Sequence, residues 1–200
     1  MSDGPDIGMT ALGPDEQARS YATLASAFAA DPVERWLYPA PDHYRTHFPV
    51  FLETFGGKAF EVETAWGLPD RSAVALWLPP GVEADGEAIV AHLTETVEPA
   101  KHDDMYAVLE QMDVAHPAYE HWYLPWFGVD AARQGEGLGR RLLAQCLEIV
   151  DAAGLPSYLE TPNPRTVPFY ARHGFEVTGE AVAGSCPPMT FMLRAARTAG

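Results

Sequence analysis

The chain has 200 residues, 47% hydrophobic and 20% charged, with 28 acidic against 13 basic side chains and a net charge of −15. That length suffices for one domain with a sizeable core, and no run of about 18 apolar residues is present to span a membrane. The acidic balance argues against nucleic acid as a partner, because phosphate neutralisation needs a basic face; it either serves solubility alone or steers in a cationic acceptor.

Residues 1–200 read as a single domain with a loosely ordered start over residues 1–8. Met1 to Thr10 lacks the basic start and apolar centre of a signal peptide, so the cytoplasm is the expected compartment. A short strand is expected near Met9 to Leu12. Pro14-Asp15-Glu16 then opens a helix whose apolar stripe is Tyr21, Leu24, Ala25 and Phe28, and Asp31-Pro32 ends it. Pro39 and Pro41 break the next segment, which leaves Trp36 and Tyr38 in a loop, and His43 to Phe55 is a second helix. His43 and His47 stand four apart without a third ligand, which places them on a solvent face; no metal site is expected.

Glu61 to Gly67 and Ser72 to Leu78 have strand character, separated by the turn Leu68-Pro69-Asp70, and the second has apolar residues on both faces. Gly86 to Val97 and Asp103 to Val114 are helical. His121 to Val129 is a strand with Pro125 in its middle, which demands an edge position or a bulge. A Gly-rich turn, a helix from Leu138 to Ala153, a strand from Ser157 to Thr161 and a short helix ending near His173-Gly174 follow. Strands at Phe175 to Gly179 and Met189 to Arg194 close the chain. The order predicts a mixed α/β domain around one sheet. Cys146 falls on the apolar stripe of its helix and Cys186 in a loop, a pairing that makes neither a disulfide framework nor a zinc site.

The chemically informative stretch is Val129 to Leu143, where a strand runs into Gln134-Gly135-Glu136-Gly137-Leu138-Gly139 and then an amphipathic helix. Three glycines in five residues let main-chain N–H groups converge, and the helix start adds free donors and a positive dipole end. Arg133, Arg140 and Arg141 cluster there in an otherwise acidic chain. A pyrophosphate suits such a place. The glycine spacing differs from the dinucleotide fingerprint, and the Gly-Lys-Ser/Thr ending of the P-loop is absent.

Gln134-x-x-Gly137-x-Gly139, together with Tyr158-Leu159-Glu160-Thr161, Asn163 and Phe169-Tyr170-Ala171-Arg172-His173-Gly174-Phe175, resembles the coenzyme A-binding half of GNAT acetyltransferases. Along its whole length the chain is most similar to the branch related to puromycin N-acetyltransferase, through Ala27-Phe28-Ala29, Ala73 to Trp77 and Glu160 to Tyr170. The resemblance implies the GNAT fold: a mostly antiparallel sheet flanked by helices, with a splayed parallel strand pair that binds acetyl-CoA. It implies cofactor contacts from Phe127, Gly128, Val129, Gln134, Gly135, Glu136, Gly137, Leu138, Gly139, Arg140 and Asn163. Asn163 has a second reading as a helix cap. Tyr170 would protonate the leaving thiolate, its alternative being a packing role beside Phe169 and Phe175.

Glu160 is the candidate general base, with Glu120, His121, His116 or a water chain as alternatives. Trp36, Tyr38 and Trp126 are the candidate acceptor wall. The expected activity is acetyl transfer from acetyl-CoA to a small primary amine, an aminonucleoside antibiotic among the candidates, by a monomer or homodimer. A peptide N-acetyltransferase and a catalytically silent coenzyme A-binding module are the alternatives.

Overall fold

The computed structural model describes residues 8–197; the loose start expected over residues 1–8 lies, apart from Gly8, outside them. Seven strands form one sheet: β1 (Thr10–Ala11), β2 (Ala65–Gly67), β3 (Ala73–Leu78), β4 (Trp122–Val129), β5 (Ser157–Thr161), β6 (Glu176–Ala181) and β7 (Met189–Arg194), in the order β1-β2-β3-β4-β5-β7-β6. Every neighbouring pair is antiparallel except β4–β5. A parallel pair needs a crossover, and the helix α7 (Leu138–Ala152) supplies it.

The sheet divides the core in two. One face carries α1 (Gln17–Phe28), α2 (Pro32–Leu37), α3 (Pro41–Gly56), α4 (Lys58–Glu61), α5 (Gly86–Thr96) and α6 (His102–Ala115); the other carries α7 and α8 (Val167–Ala171). Strand β3 is buried along its whole length because it serves both: Val74, Leu76 and Leu78 enter the first core, and Ala73, Ala75 and Trp77 the second. Among the described residues no helix is long and apolar enough to cross a membrane.

Three expectations need correcting. Asp31-Pro32 does not simply end α1; it starts α2, with Asp31 Oδ1 accepting from the N–H of Val33 (3.0 Å) and Glu34 (3.5 Å) and Pro32 in the first turn. The residues that stop one helix are good starters of the next. Trp36 therefore lies in a helix and Tyr38 at its end, not in a loop. The strand expected over Glu61 to Gly67 is shorter: Lys58–Glu61 is a helical turn, Glu63 takes a left-handed conformation (φ 59), and pairing begins only at Ala65. His43 and His47 are half-buried against the Tyr38 ring rather than on a solvent face.

Pro125 sits in a central strand. The β3–β4 register passes from Leu76↔Trp126 to Leu78↔Tyr123, so β4 uses an extra residue there, and the bulge at Leu124–Pro125 accommodates the missing donor.

Candidate active site

Strands β4 and β5 pair only at Trp122↔Ser157 and Tyr123↔Tyr158; past the bulge they separate. The N–H of Asp130 bonds Ser72 O (2.9 Å), which fixes the alternation along β4. In an antiparallel ladder every second residue turns its main-chain groups to the partner strand. Gly128 therefore faces β3, whereas the main-chain groups of Phe127 and Val129 face the slot. The Val129 carbonyl is taken by Gln134 Nε2 (3.2 Å), so the Gln134 side chain clamps the following loop instead of reaching outward. Gly128 is held in close contact with α1, where a Cβ would come within 2.7 Å of Ala27 Cβ.

The glycine turn closes the far end of this slot. Gly135 (φ 86) and Gly137 (φ 80) both occupy the left-handed region, with open space where a side chain would stand. Gly137 caps α7 without any side-chain hydrogen bond, so the first N–H groups of a 15-residue helix lack a capping acceptor. The Leu138 side chain is buried in the core beneath, so only its main chain faces the turn. Gly139 serves packing: a Cβ would meet Val129 Cγ2 at 3.2 Å. Arg133 does not stand free for an anion. It pairs with Glu136 (2.7 Å) and Asp70 (3.3 Å), which rigidifies the loop, while Arg140 is exposed beside it.

Tyr170 enters the slot from α8. Its ring packs against Phe127, Phe169 and Phe175, and its hydroxyl makes no hydrogen bond among the described residues. Burial, and then the negative charge of Asp31, push this phenol upward, so it keeps its proton throughout the neutral range. Asn163 Oδ1 accepts from the Arg165 N–H (3.1 Å) and its carbonyl from the Thr166 hydroxyl (2.7 Å), a turn that leads into α8 and leaves Nδ2 as donor.

On the opposite face a cleft with about 930 Å³ of empty space, solvent at its mouth included, reaches the same gap; Trp36, Trp126, Glu160, Asn163 and Tyr170 line it. Trp126 stands edge-on to Phe28 (5.2 Å) and Phe51 (5.5 Å), with its Nε1 buried and unpartnered. Trp36 Nε1 donates to Ser185 Oγ (3.2 Å), and Lys101 Nζ sits 5.4 Å over its ring. Tyr38 does not line this cleft. It is fully buried behind it, with its hydroxyl 3.1 Å from Thr96 Oγ1. The sequence reading missed Asp31 and Glu34, which also line the cleft. Their Asp-x-x-Glu spacing announces a helix start, but nothing in it says which way the carboxyls face.

Glu160 lines both this cleft and a second, solvent-filled groove bordered by His116, His121 and Tyr123. Its side chain is only 5% exposed, with Oε1 3.8 Å from His116 Nδ1. His116 Nε2 is 3.0 Å from His121 Nε2, and His121 Nδ1 is 2.7 Å from the Tyr119 carbonyl. A carbonyl only accepts, so His121 carries its proton on Nδ1, and His116 Nε2–H must donate to His121 Nε2. That leaves His116 Nδ1 as an acceptor facing Glu160. Burial, then His116 as a like charge, lowers the His121 imidazole, which sheds a proton readily. Glu120 is exposed on the groove side.

A model of the acetyltransferase (GNAT) family matches residues 38–175. An uncharacterized N-acetyltransferase of Schizosaccharomyces pombe is 27% identical over 184 residues, covering 78% of this chain and 69% of that protein. Among solved structures, the chain is similar to a histone acetyltransferase HPA2-related acetyltransferase from Corynebacterium glutamicum (TM-score 0.67, 23% identity, 96% and 97% of the two chains). It is also similar to the Drosophila melanogaster polyamine N-acetyltransferase (TM-score 0.65, 11% identity, 95% and 100%). A third is arylalkylamine N-acetyltransferase 2 of Aedes aegypti (TM-score 0.63, 12% identity, 94% and 98%).

Proposed function

The chain belongs to the GNAT acetyltransferase family, and from that premise we propose that it moves an acetyl group from acetyl-CoA to the primary amine of a small molecule by direct attack. The observation that carries the reading is the slot itself. It opens on one face to an uncapped helix start with two left-handed glycines, and on the other to an aromatic cleft holding carboxyl groups. The first side fits a pyrophosphate: donors converge where no Cβ intrudes. Acetyl-CoA supplies the activated acyl group as a thioester. A small acceptor suits the second side, because the cleft is walled by side chains from nine elements rather than laid open as a peptide groove. Two of the structural neighbours are named for small amines, which agrees with this reading.

In this scheme the main-chain N–H groups of Phe127 and Val129 hold the pantetheine arm, and one of them stabilises the oxyanion as the amine attacks. Asn163 Nδ2 adds a donor beside them. Tyr170, kept protonated by its surroundings, gives its proton to the departing sulfur. Glu160 receives the proton that the ammonium must lose. His116 Nδ1 takes it onward across the 3.8 Å gap, and His116 Nε2 hands its own proton to His121 Nε2, which releases it to the open groove. The tautomers set by the Tyr119 carbonyl point this relay outward. Trp36 and Trp126 form the acceptor wall, which also suits an aminonucleoside such as puromycin.

The test is release of free thiol from acetyl-CoA with a panel of puromycin, an aminoglycoside, arylalkylamines, diamines and a basic peptide. Release with the small amines is expected. A peptide favoured tenfold or more would overturn the small-molecule acceptor, and acetyl-CoA binding without turnover on any amine would leave a coenzyme A-binding module.

A further inference from the structure

The Glu34 side chain has no part in the transfer scheme and makes no hydrogen bond among the described residues. It is 3% exposed, its Oε2 is sealed from solvent without a partner, and it lines the acceptor cleft. Its position three residues after the helix cap Asp31 would let it close a capping box on the Asp31 N–H. That N–H already bonds Phe28 O (2.9 Å), so the box stays open. Neighbouring cations are engaged elsewhere: Arg35 donates to the Pro39 carbonyl and lies over the Tyr44 ring, and Lys101 Nζ donates to Trp36 O (2.6 Å).

A buried carboxyl left without a partner is costly, and single replacements of this kind are easily fixed when no function retains them. Asp31, its neighbour in the cleft, spends one oxygen on two N–H groups of α2. The groups that face the pair are phenols and a thiol: Tyr38 and Tyr44 beside Glu34, Cys186 from the β6–β7 loop, and Tyr170 beside Asp31. None carries positive charge. The cleft that the pair lines is otherwise largely apolar and carries the rings of Phe28, Trp36 and Trp126. Two acidic groups in an apolar cleft that carries aromatic rings are complementary to an alkylammonium, through charge, hydrogen bonds and cation–π contact.

We propose that Glu34, with Asp31, anchors a second cationic group of the acceptor, so that the preferred substrates are small diamines or polyamines. The inference rests on the acetyl-transfer reading, in which the other amine meets Glu160 and Tyr170. Burial and the charge of Asp31 raise the Glu34 carboxyl well above its ordinary range, which favours its protonated form until a cation arrives. The arriving cation makes it ionise. Binding of a diamine near neutral pH therefore releases a proton to solvent.

The experiment is calorimetric titration of the full-length protein with α,ω-diamines of three to six carbons and with n-butylamine, in two buffers of different ionisation heat, before and after Glu34→Gln. The best diamine should bind about tenfold or more tighter than butylamine and release a proton. Glu34→Gln should erase the release and cost the diamine at least about tenfold more than the monoamine. Equal affinity for diamine and monoamine overturns the proposal, as does an equal loss of both in the variant. If the variant does not fold, the wild-type comparison decides alone. Tight diamine binding without thiol release from acetyl-CoA would sink the transferase reading and leave the anchor standing. Equal kcat/KM for diamines and monoamines would sink the anchor and leave the enzyme.

Discussion

The two faces of the sheet meet at one slot but are built from different materials. On the α7 face the functional groups are main-chain N–H donors, placed by left-handed glycines, an uncapped helix start and an unpaired stretch of β4. Side chains there mostly hold the loop: Gln134 clamps Val129, and Arg133 is tied to Glu136 and Asp70. On the α1–α6 face the groups are side chains from scattered places, Asp31 from the cap of α2, Glu34 from α2 itself, Trp126 from β4 and Glu160 from β5. In the proposed scheme the first face recognises what every coenzyme A thioester shares. The second holds carboxyl groups in an apolar cleft at a cost in stability, which the proposed scheme exchanges for specificity toward one charged acceptor.

The sharpest way to break this division is at its junction. Tyr170→Phe should lower kcat by about two orders of magnitude, the usual worth of a positioned general acid, with little change in acetyl-CoA affinity. Steady-state kinetics beside a binding measurement would check it, and normal turnover would make Tyr170 a packing residue. Glu160→Gln should cost about tenfold to a hundredfold at neutral pH, with the deficit shrinking as pH rises and solvent deprotonates the amine. A deficit that stays constant with pH would point away from proton removal by Glu160. Asp31, raised by burial to about 6 and close enough for its charge to reach Tyr170, would then be the carboxylate to replace next.

The α7 face can be tested without touching the acceptor side. Gly137→Val puts a β-branched residue at φ 80 and a side chain into space that is now open. The folded variant should lose about tenfold or more in acetyl-CoA affinity and with it the thermal shift on cofactor addition, while diamine binding persists. An unchanged shift would remove the turn from the cofactor site.

The same division explains what could be read from the sequence. Backbone-built features leave compositional marks: three glycines before an amphipathic helix, or Pro125 inside a strand, translate directly into a turn and a bulge. The order of strands and helices followed for the same reason. The cleft left no such mark. Asp31-Pro32-Val33-Glu34 has the grammar of a helix start, and only the packing of α2 over the sheet turns Glu34 inward and Tyr38 away from the cleft. His116 and His121 stand apart from Glu160 in sequence, and β5 returning beside β4 is what makes them a chain.

The subtlest prediction concerns the cost of that acceptor face. Asp31 is held at about 6 in the fold, and Glu34 well above its ordinary value, both first by burial. In the unfolded chain both titrate near 4. Between those limits the folded protein binds more protons than the unfolded one, so stability falls as pH rises from about 4 through 6 and beyond. Asp31 alone would contribute on the order of 1–3 kcal/mol to this decline, or a few degrees in Tm. Asp70, Asp104 and Glu136, held below their ordinary range by hydrogen bonds from Ser72, Ser185 and Arg133, act the other way, so the contribution must be isolated by difference. The measurement is Tm against pH for the wild type and for Asp31→Asn and Glu34→Gln, the first of which keeps a capping side chain. Both variants should melt at or above the wild-type temperature at pH 7.5 and lose that advantage near pH 4.5. Added diamine should raise the wild type more than either variant. Variants that melt lower at pH 7.5 and are no better off than at pH 4.5 would mean that the pair supports the fold, and the contrast between the two faces would fail.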